Sequence, residues 1–306
     1  MPTQNNIDES SLLNQSFSVN SSFNVLKSLS KVKQREVPCP IIKQRAITTS
    51  LMTIDDLTLK TTIAAPDLYD LELTKLVYNH SSFPDNPTPL SLNSFMDNVS
   101  YIDRKALIWG IFASTYGTMG TIQITCPYCN NTFSNEIKAE ELIHQDSLTV
   151  WDKEVPFNEY VLTFDYICNV EGLYKLEFDI SLPSISQQLA VMKLLSADKL
   201  KDNFNKIGNV FSKPEEIASI VRMIKVYKTP DDIEPQRFLT TRDIHRVVCQ
   251  FMPMDVSDFI LDKYNEEFDK FTPVFKKPFV CSECNNDFNY VTDPEVSLFR
   301  QFFRTR

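Results

Sequence analysis

Two stretches decide the reading of this chain: Ile124-Thr125-Cys126-Pro127-Tyr128-Cys129-Asn130-Asn131-Thr132-Phe133 and Phe279-Val280-Cys281-Ser282-Glu283-Cys284-Asn285-Asn286-Asp287-Phe288. Both run apolar, x, Cys, x, x, Cys, Asn, Asn, x, Phe, and both sit between strand-like segments. Cysteines three apart in a tight turn can aim both sulfurs at one ion, while backbone amides of the turn stabilise the thiolates. Two such knuckles supply four thiolates, the complement of a closed tetrahedral zinc site. A turn this tight often needs positive φ just after its second cysteine. Asn130 and Asn285 stand there, and asparagine is the non-glycine residue best suited to a left-handed position. A lone Cys-x-x-Cys carries little information, but two with matching flanks carry a great deal, although 151 residues separate Cys129 from Cys281. The expectation is a structural zinc held by Cys126, Cys129, Cys281 and Cys284. The alternative is four unmetallated thiols in a core.

Around the first knuckle, Thr121–Thr125 and Phe133–Ile137 read as the strands of a hairpin. Before them, Leu107, Ile108, Ile111 and Phe112 give the spacing of a buried helix that Asp103 can cap and that ends near Gly117. A shorter helix is expected from Asp67 to Leu76, and extended structure where Ile41, Ile47, Leu51, Ile54, Leu57, Leu59 and Ile63 alternate with polar residues. Tyr160–Ile167 and Leu173–Ile180 alternate around Gly172 as a hairpin does. Helix signals come next. Ser184 or Ser186 precedes Leu189, Met192 and Leu195; Pro214, Glu215 and Glu216 open a turn ahead of Ile217, Ile220, Val221 and Ile224. Thr240 and Asp243 make a capping-box start, and Val256, Phe259, Ile260, Tyr264, Phe268 and Phe271 mark the inner face of a long helix. The expected fold is α+β: a split four-cysteine zinc ribbon, with knuckles at 121–137 and 277–291, around a long, mainly helical insertion over 140–275. Residues 37–306 form a single globular domain. Residues 1–36, rich in Ser and Asn with scattered Phe17, Phe23, Val25, Leu26 and Leu29, read as a flexible arm.

Composition removes several classes of function. The chain has 306 residues, only five glycines, and a net charge of −9. No glycine-rich nucleotide loop, Gly-x-Ser-x-Gly elbow or His-Glu-x-x-His helix is present. The longest apolar run, Ala106–Ala113, is far too short to span a bilayer, and the first residues show no secretory signal, so no membrane association is expected. Unexported, the seven cysteines are expected to be thiols or metal ligands rather than a disulfide framework. The acidic balance argues against nucleic acid as the main partner.

The rival chemistries are weaker. Cys126-Pro127-Tyr128-Cys129 matches the active-site tetrapeptide of glutaredoxins, but that chemistry needs a helix N-terminus under the first thiol. The residues after Cys129 are mostly polar, without a helical face, and a redox reading leaves the second knuckle unexplained. Cys39, Cys168 and Cys249 have no paired neighbour and read as packed thiols; His80, His144 and His245 are scattered. Asp231, Asp232 and Glu234 form a solvated acidic loop. No Ser-His-Asp or Cys-His arrangement can be assembled, so the expectation is a protein that is not an enzyme.

Asp103-Arg-Lys-Ala-Leu-Ile-Trp-Gly110, then Thr115-Tyr-Gly117, then a strand into Cys126-Pro-Tyr-Cys129, resembles the baseplate hub subunit family of T-even-like contractile-tailed bacteriophages. The second knuckle and the closing Phe299-Arg-Gln-Phe302-Phe303 are similar to that family's last segment. The likeness covers most of 100–306 in layout; its motifs are short, and only the cysteines are distinctive. It implies a non-enzymatic structural or assembly component of a phage tail baseplate, with structural zinc, other tail proteins as partners, and a place in the virion after assembly in the host cytoplasm. A zinc-ribbon adaptor in a nucleic-acid or transcription complex is the alternative.

Overall fold

The computed structural model of the chain describes residues 33–42, 44–51, 66–85, 90–116, 118–142, 151–170, 172–198 and 213–292. The chain divides into units 1–33 and 34–306, and the elements described below belong to the second. The expected arm over 1–36 lies outside the described residues apart from Lys33–Glu36. So do Ile54, Leu57, Leu59, Ile63, His144 and the C-terminal Phe299, Phe302 and Phe303.

Helix and antiparallel sheet are mixed throughout, as an α+β chain requires. β1 (Gln34–Cys39) and β2 (Gln44–Thr49) pair with Val37 opposite Ala46, and β3 (Ser81–Ser82) pairs with the other side of β2. Among the described residues of the first half, the helices are α1 (Pro66–Asn79), α2 (Leu92–Asn98) and α3 (Tyr101–Tyr116). The hairpin β4 (Thr118–Thr125) and β5 (Thr132–Lys138) carries the first knuckle. β6 (Leu162–Val170), β7 (Leu173–Ile180), β8 (Val221–Tyr227) and β9 (Gln236–Phe238) form a four-stranded sheet in that order. Its first turn is at Gly172, whose φ of 78° is the left-handed value glycine accepts without strain. α4 (Ile185–Asp198) packs with α1 and α2, while α5 (Lys213–Ile220), α6 (Thr241–Gln250) and α7 (Met254–Phe268) pack against that sheet, and the hairpin β10 (Phe275–Val280) and β11 (Asp287–Thr292) carries the second knuckle. Among the described residues no helix is long and apolar enough to cross a membrane.

Two expectations need correction. The helix opened by Pro214 stops at Ile220; Val221 and Ile224 lie on β8, opposite Ile180 and Phe178 of β7. The apolar spacing fits a helix as well as a strand, but Val221, Ile224 and Val226 are β-branched, and the open side of β7 provides a partner that local spacing does not reveal. The 140–275 insertion therefore carries a four-stranded sheet as well as its helices. The second correction concerns the start of α3, where Ser100 is the cap and Asp103 lies in the first turn. The Ser100 hydroxyl accepts the Asp103 N–H at 3.0 Å and donates to the Asp103 carboxylate at 2.9 Å. The Ser100 backbone N–H also donates to that carboxylate, which completes a capping box built with aspartate.

Asp103 also reaches across to the β1–β2 turn, accepting the Ile41 N–H at 2.9 Å. The next residue, Arg104, makes a bidentate ion pair with Asp70 of α1 at 2.7 and 2.8 Å, and donates to Thr74 at 3.0 Å. Arg104 and Asp70 are both buried, so removing one partner would strand the other charge in a low-dielectric core. The start of α3 is thus tied to the sheet by one carboxylate and to α1 by one guanidinium.

The rest of α3 is apolar on nearly every side, the mark of a helix buried all round. Leu107, Ile108 and Ile111 join a core with Leu73, Val77, Phe95 and Ile185. Ala106, Trp109 and Phe112 join another with Val37 of β1 and with Ile124, Ile137, Phe275 and Phe279 of the two knuckle hairpins. Gly110 faces β1 and β2. A Cβ at that position would overlap Val37 and lie 2.7 Å from the Thr48 hydroxyl. Gly110→Ala is therefore expected to cost about 1–3 kcal/mol by overpacking, measured by denaturant unfolding; an unchanged midpoint would mean that the sheet yields freely.

Burial pushes the Asp103 carboxyl up to about 7, against the lowering effect of the Ile41, Ser100 and Ile42 hydrogen bonds. The folded protein thus holds this proton more tightly than the unfolded chain. Its contribution to stability is complete below about pH 4 and is lost as pH rises through about 7. Unfolding free energies of wild type and Asp103→Asn compared across that window should differ by a falling limb present only in the wild type.

Candidate metal centre

Each knuckle is a tight turn closing a hairpin, and the two are built alike. In the first, the Cys126 N–H donates to the Asn131 carbonyl at 2.8 Å and the Asn130 N–H to the Cys126 carbonyl at 3.0 Å. In the second, the Cys281 N–H donates to the Asn286 carbonyl at 3.0 Å and the Asn285 N–H to the Cys281 carbonyl at 2.9 Å. Asn130 and Asn285 have φ of 58° and 56°, the only non-glycine residues with positive φ among those described. The left-handed step expected after each second cysteine is present at both positions.

The hairpins meet over an aromatic floor. The matched phenylalanines Phe133 and Phe288 lie 6.3 Å apart between ring centres, and Phe279 lies 5.9 and 6.1 Å from them. Below these, Trp109 of α3 packs against Phe275 at 6.2 Å, and its indole N–H donates to the Ala139 carbonyl. At the rim Lys277 of β10 forms a 2.7 Å ion pair with Glu141. The phenylalanine that ends each sequence motif thus helps to join the knuckles.

On this floor the four sulfurs gather. Cys126 Sγ lies 3.7 Å from Cys284 Sγ, Cys129 Sγ lies 3.5 Å from Cys281 Sγ, and all four lie within 4.8 Å of one another. A tetrahedron of sulfurs about 2.3 Å from one ion has edges of about 3.8 Å, so the donor set fits a four-coordinate ion such as zinc. The first cysteine of each knuckle is fully buried, whereas Cys129 is exposed and Cys284 half-buried.

The electrostatics favour a cation. Backbone N–H groups of Cys284 and Glu283 bring the Cys281 thiol down to about 6. At Cys129 the Asn131 amide favours the thiolate, but desolvation and the sulfurs of Cys281, Cys284 and Cys126 outweigh it and push the thiol up to about 12. One thiolate therefore forms readily and discourages the next. A divalent ion reverses that relation, since each ligand deprotonates as it binds and releases its proton.

The remaining sequence candidates separate cleanly. Cys39 is buried in a core, where burial pushes its thiol well up, and Cys168 lies on β6. His80 shares a hydrogen bond at 3.1 Å with the Thr49 hydroxyl. Asp232 accepts the Lys228 and Thr229 N–H groups, so the acidic loop is a hydrogen-bonded surface turn. Cys126-Pro127-Tyr128-Cys129 sits between two strands with no helix starting at it, unlike the thiol-redox geometry. One grouping escaped the sequence: Glu215, His245 and Cys249 bring their donor atoms within 4.8 Å of one another. The i, i+4 spacing of His245 and Cys249 was its one legible sign.

Fold and site together define a class: an α+β chain whose two matched Cys-x-x-Cys hairpins form a four-thiol cluster compatible with a metal ion. No family model, curated protein or solved structure matches the chain.

The turns offer a direct test. Asn130→Gly should keep metal binding and stability, because glycine accepts the left-handed backbone. Asn130→Val should lose about 1–2 kcal/mol by strain in that region, read as a lower unfolding midpoint of the metal-loaded protein. Equal behaviour of the two variants would remove the backbone from the account.

Proposed function

We propose that this chain is a non-enzymatic structural or assembly protein. In this reading Cys126, Cys129, Cys281 and Cys284 hold a structural zinc that joins two ribbon hairpins distant in sequence. The observation that carries it is the four-thiol cluster. Four protein donors at tetrahedral spacing fill the coordination shell and leave no position for a substrate, which is how structural zinc sites differ from catalytic ones. The ion supplies folding free energy, and its four bonds close the long loop between the knuckles.

The biological setting we propose is the tail baseplate hub of a contractile-tailed phage, with other tail proteins as partners and the virion as the final location. The sequence layout from Asp103 to Cys129, together with the second knuckle, supports it. In the fold, Asp103 and Arg104 anchor α3 and the next hairpin brings up the first knuckle, so the segment carrying the resemblance is also one that organises the core.

Metal analysis of protein purified without chelators should find zinc at the four cysteines, and removing it with a strong chelator should lower the melting temperature sharply. Mass spectrometry should find the chain in phage tails or tail-assembly intermediates. Metal-free protein with an unchanged melt would sink the zinc reading. Absence from every tail fraction would sink the baseplate reading, and salt-sensitive DNA binding would favour the adaptor instead.

A further inference from the structure

A second donor cluster lies on the helical side of the protein, away from the knuckle motifs in sequence and built differently. His245 and Cys249 stand one turn apart on α6, so their side chains share a face. Cys249 Sγ lies 3.4 Å from His245 Nε2. For a sulfur and a nitrogen bound to one tetrahedral ion the expected separation is about 3.5 Å. The third donor, Glu215, comes from the first turn of α5, and all three donor atoms fall within 4.8 Å of one another. The helices that carry them are held by a common core, with Ile217 and Ile220 of α5 packed alongside Ile244 and Val248 of α6.

Burial makes this more than a chance surface meeting. Glu215 is 2% exposed and His245 8%, while Cys249 reaches the surface. Two donors are thus set in the interior, and the third stands where an ion would arrive. A cavity of about 660 Å³ opens on that side, lined in part by Arg242, His245, Arg246 and Cys249.

We propose that Glu215, His245 and Cys249 form a second metal site, taking a divalent transition ion of the zinc class. Thiolate and imidazole favour such ions over magnesium and calcium, which prefer shells of oxygen. The charges balance: on binding, the Cys249 thiol releases one proton to solvent, His245 coordinates as neutral imidazole, and Glu215 coordinates as carboxylate. Two negative ligand charges then face two positive charges on the ion. Three protein donors leave the fourth position open toward the cavity, in contrast to the filled shell at the four cysteines. Arg242 and Arg246 beside the opening suit that position to water or a small anion.

The test uses the reduced full-length protein, wild type against Cys249→Ser and His245→Gln. Zinc content is measured by elemental analysis, and cobalt binding by the absorbance of a thiolate-to-cobalt band. The wild type should hold one more zinc per chain than Cys249→Ser. The Cys249-dependent cobalt band should vanish in that variant, and His245→Gln should weaken cobalt binding at least about tenfold. Equal zinc content and equal cobalt binding in wild type and Cys249→Ser would overturn the site. Because Cys249 is exposed, its serine variant keeps the test decisive even if the buried His245→Gln variant fails to fold. Failure of the four-cysteine reading would lower the zinc count of every variant alike and leave the difference due to Cys249 intact.

Discussion

Four thiols from two turns separated by 151 residues meet within 4.8 Å, and much of the architecture serves that meeting. Each turn needs a left-handed step to fold both sulfurs to one side, and Asn130 and Asn285 supply it. Each hairpin needs a surface on which to lie against its fellow, and Phe133, Phe279 and Phe288 supply that. Four thiolates at this spacing would repel one another unless positive charge stood among them. Packing brings the sulfurs close; the proposed ion would keep them there.

Helix α3 is what lets the knuckles find each other. Trp109 and Phe112 contribute to the core beneath the hairpins, while Leu107, Ile108 and Ile111 contribute to the neighbouring core of α1, α2 and α4. The burial that drives such contacts is itself non-directional. Direction comes from the polar groups at its start. Asp103 binds the β1–β2 turn and Ser100, Arg104 binds Asp70, and Gly110 allows the sheet to approach closely. Buried ion pairs contribute little net stability compared with a well-packed apolar substitute, so the Arg104–Asp70 pair is better understood as setting geometry.

The two donor clusters put cysteine to different use. At the knuckles four matched sulfurs from rigid turns surround a point. At Glu215, His245 and Cys249, three unlike donors from two helices leave one side toward a cavity. A filled shell suits a structural ion; an open one allows exchange of the fourth ligand. In sequence Cys249 reads as an isolated packed thiol, because its chemical neighbours are defined by a helical turn and a contact between helices.

Local chemistry was legible in the sequence. The matched knuckles, the asparagines after them, the hairpin turn at Gly172 and the Thr240–Asp243 cap each depend on residues close together in the chain. Short-range sterics and hydrogen bonding restrict those residues whatever lies farther away. The rest awaited tertiary structure. Val221 and Ile224 join a strand because β7 is there to pair with them, and Asp103 turns from a helix-capping candidate into a buried anchor because Ile41 lies against it. Glu215 meets His245 and Cys249 because α5 and α6 share a core. Those outcomes depend on which distant surfaces come into contact, and the spacing of residues along the chain does not encode that directly.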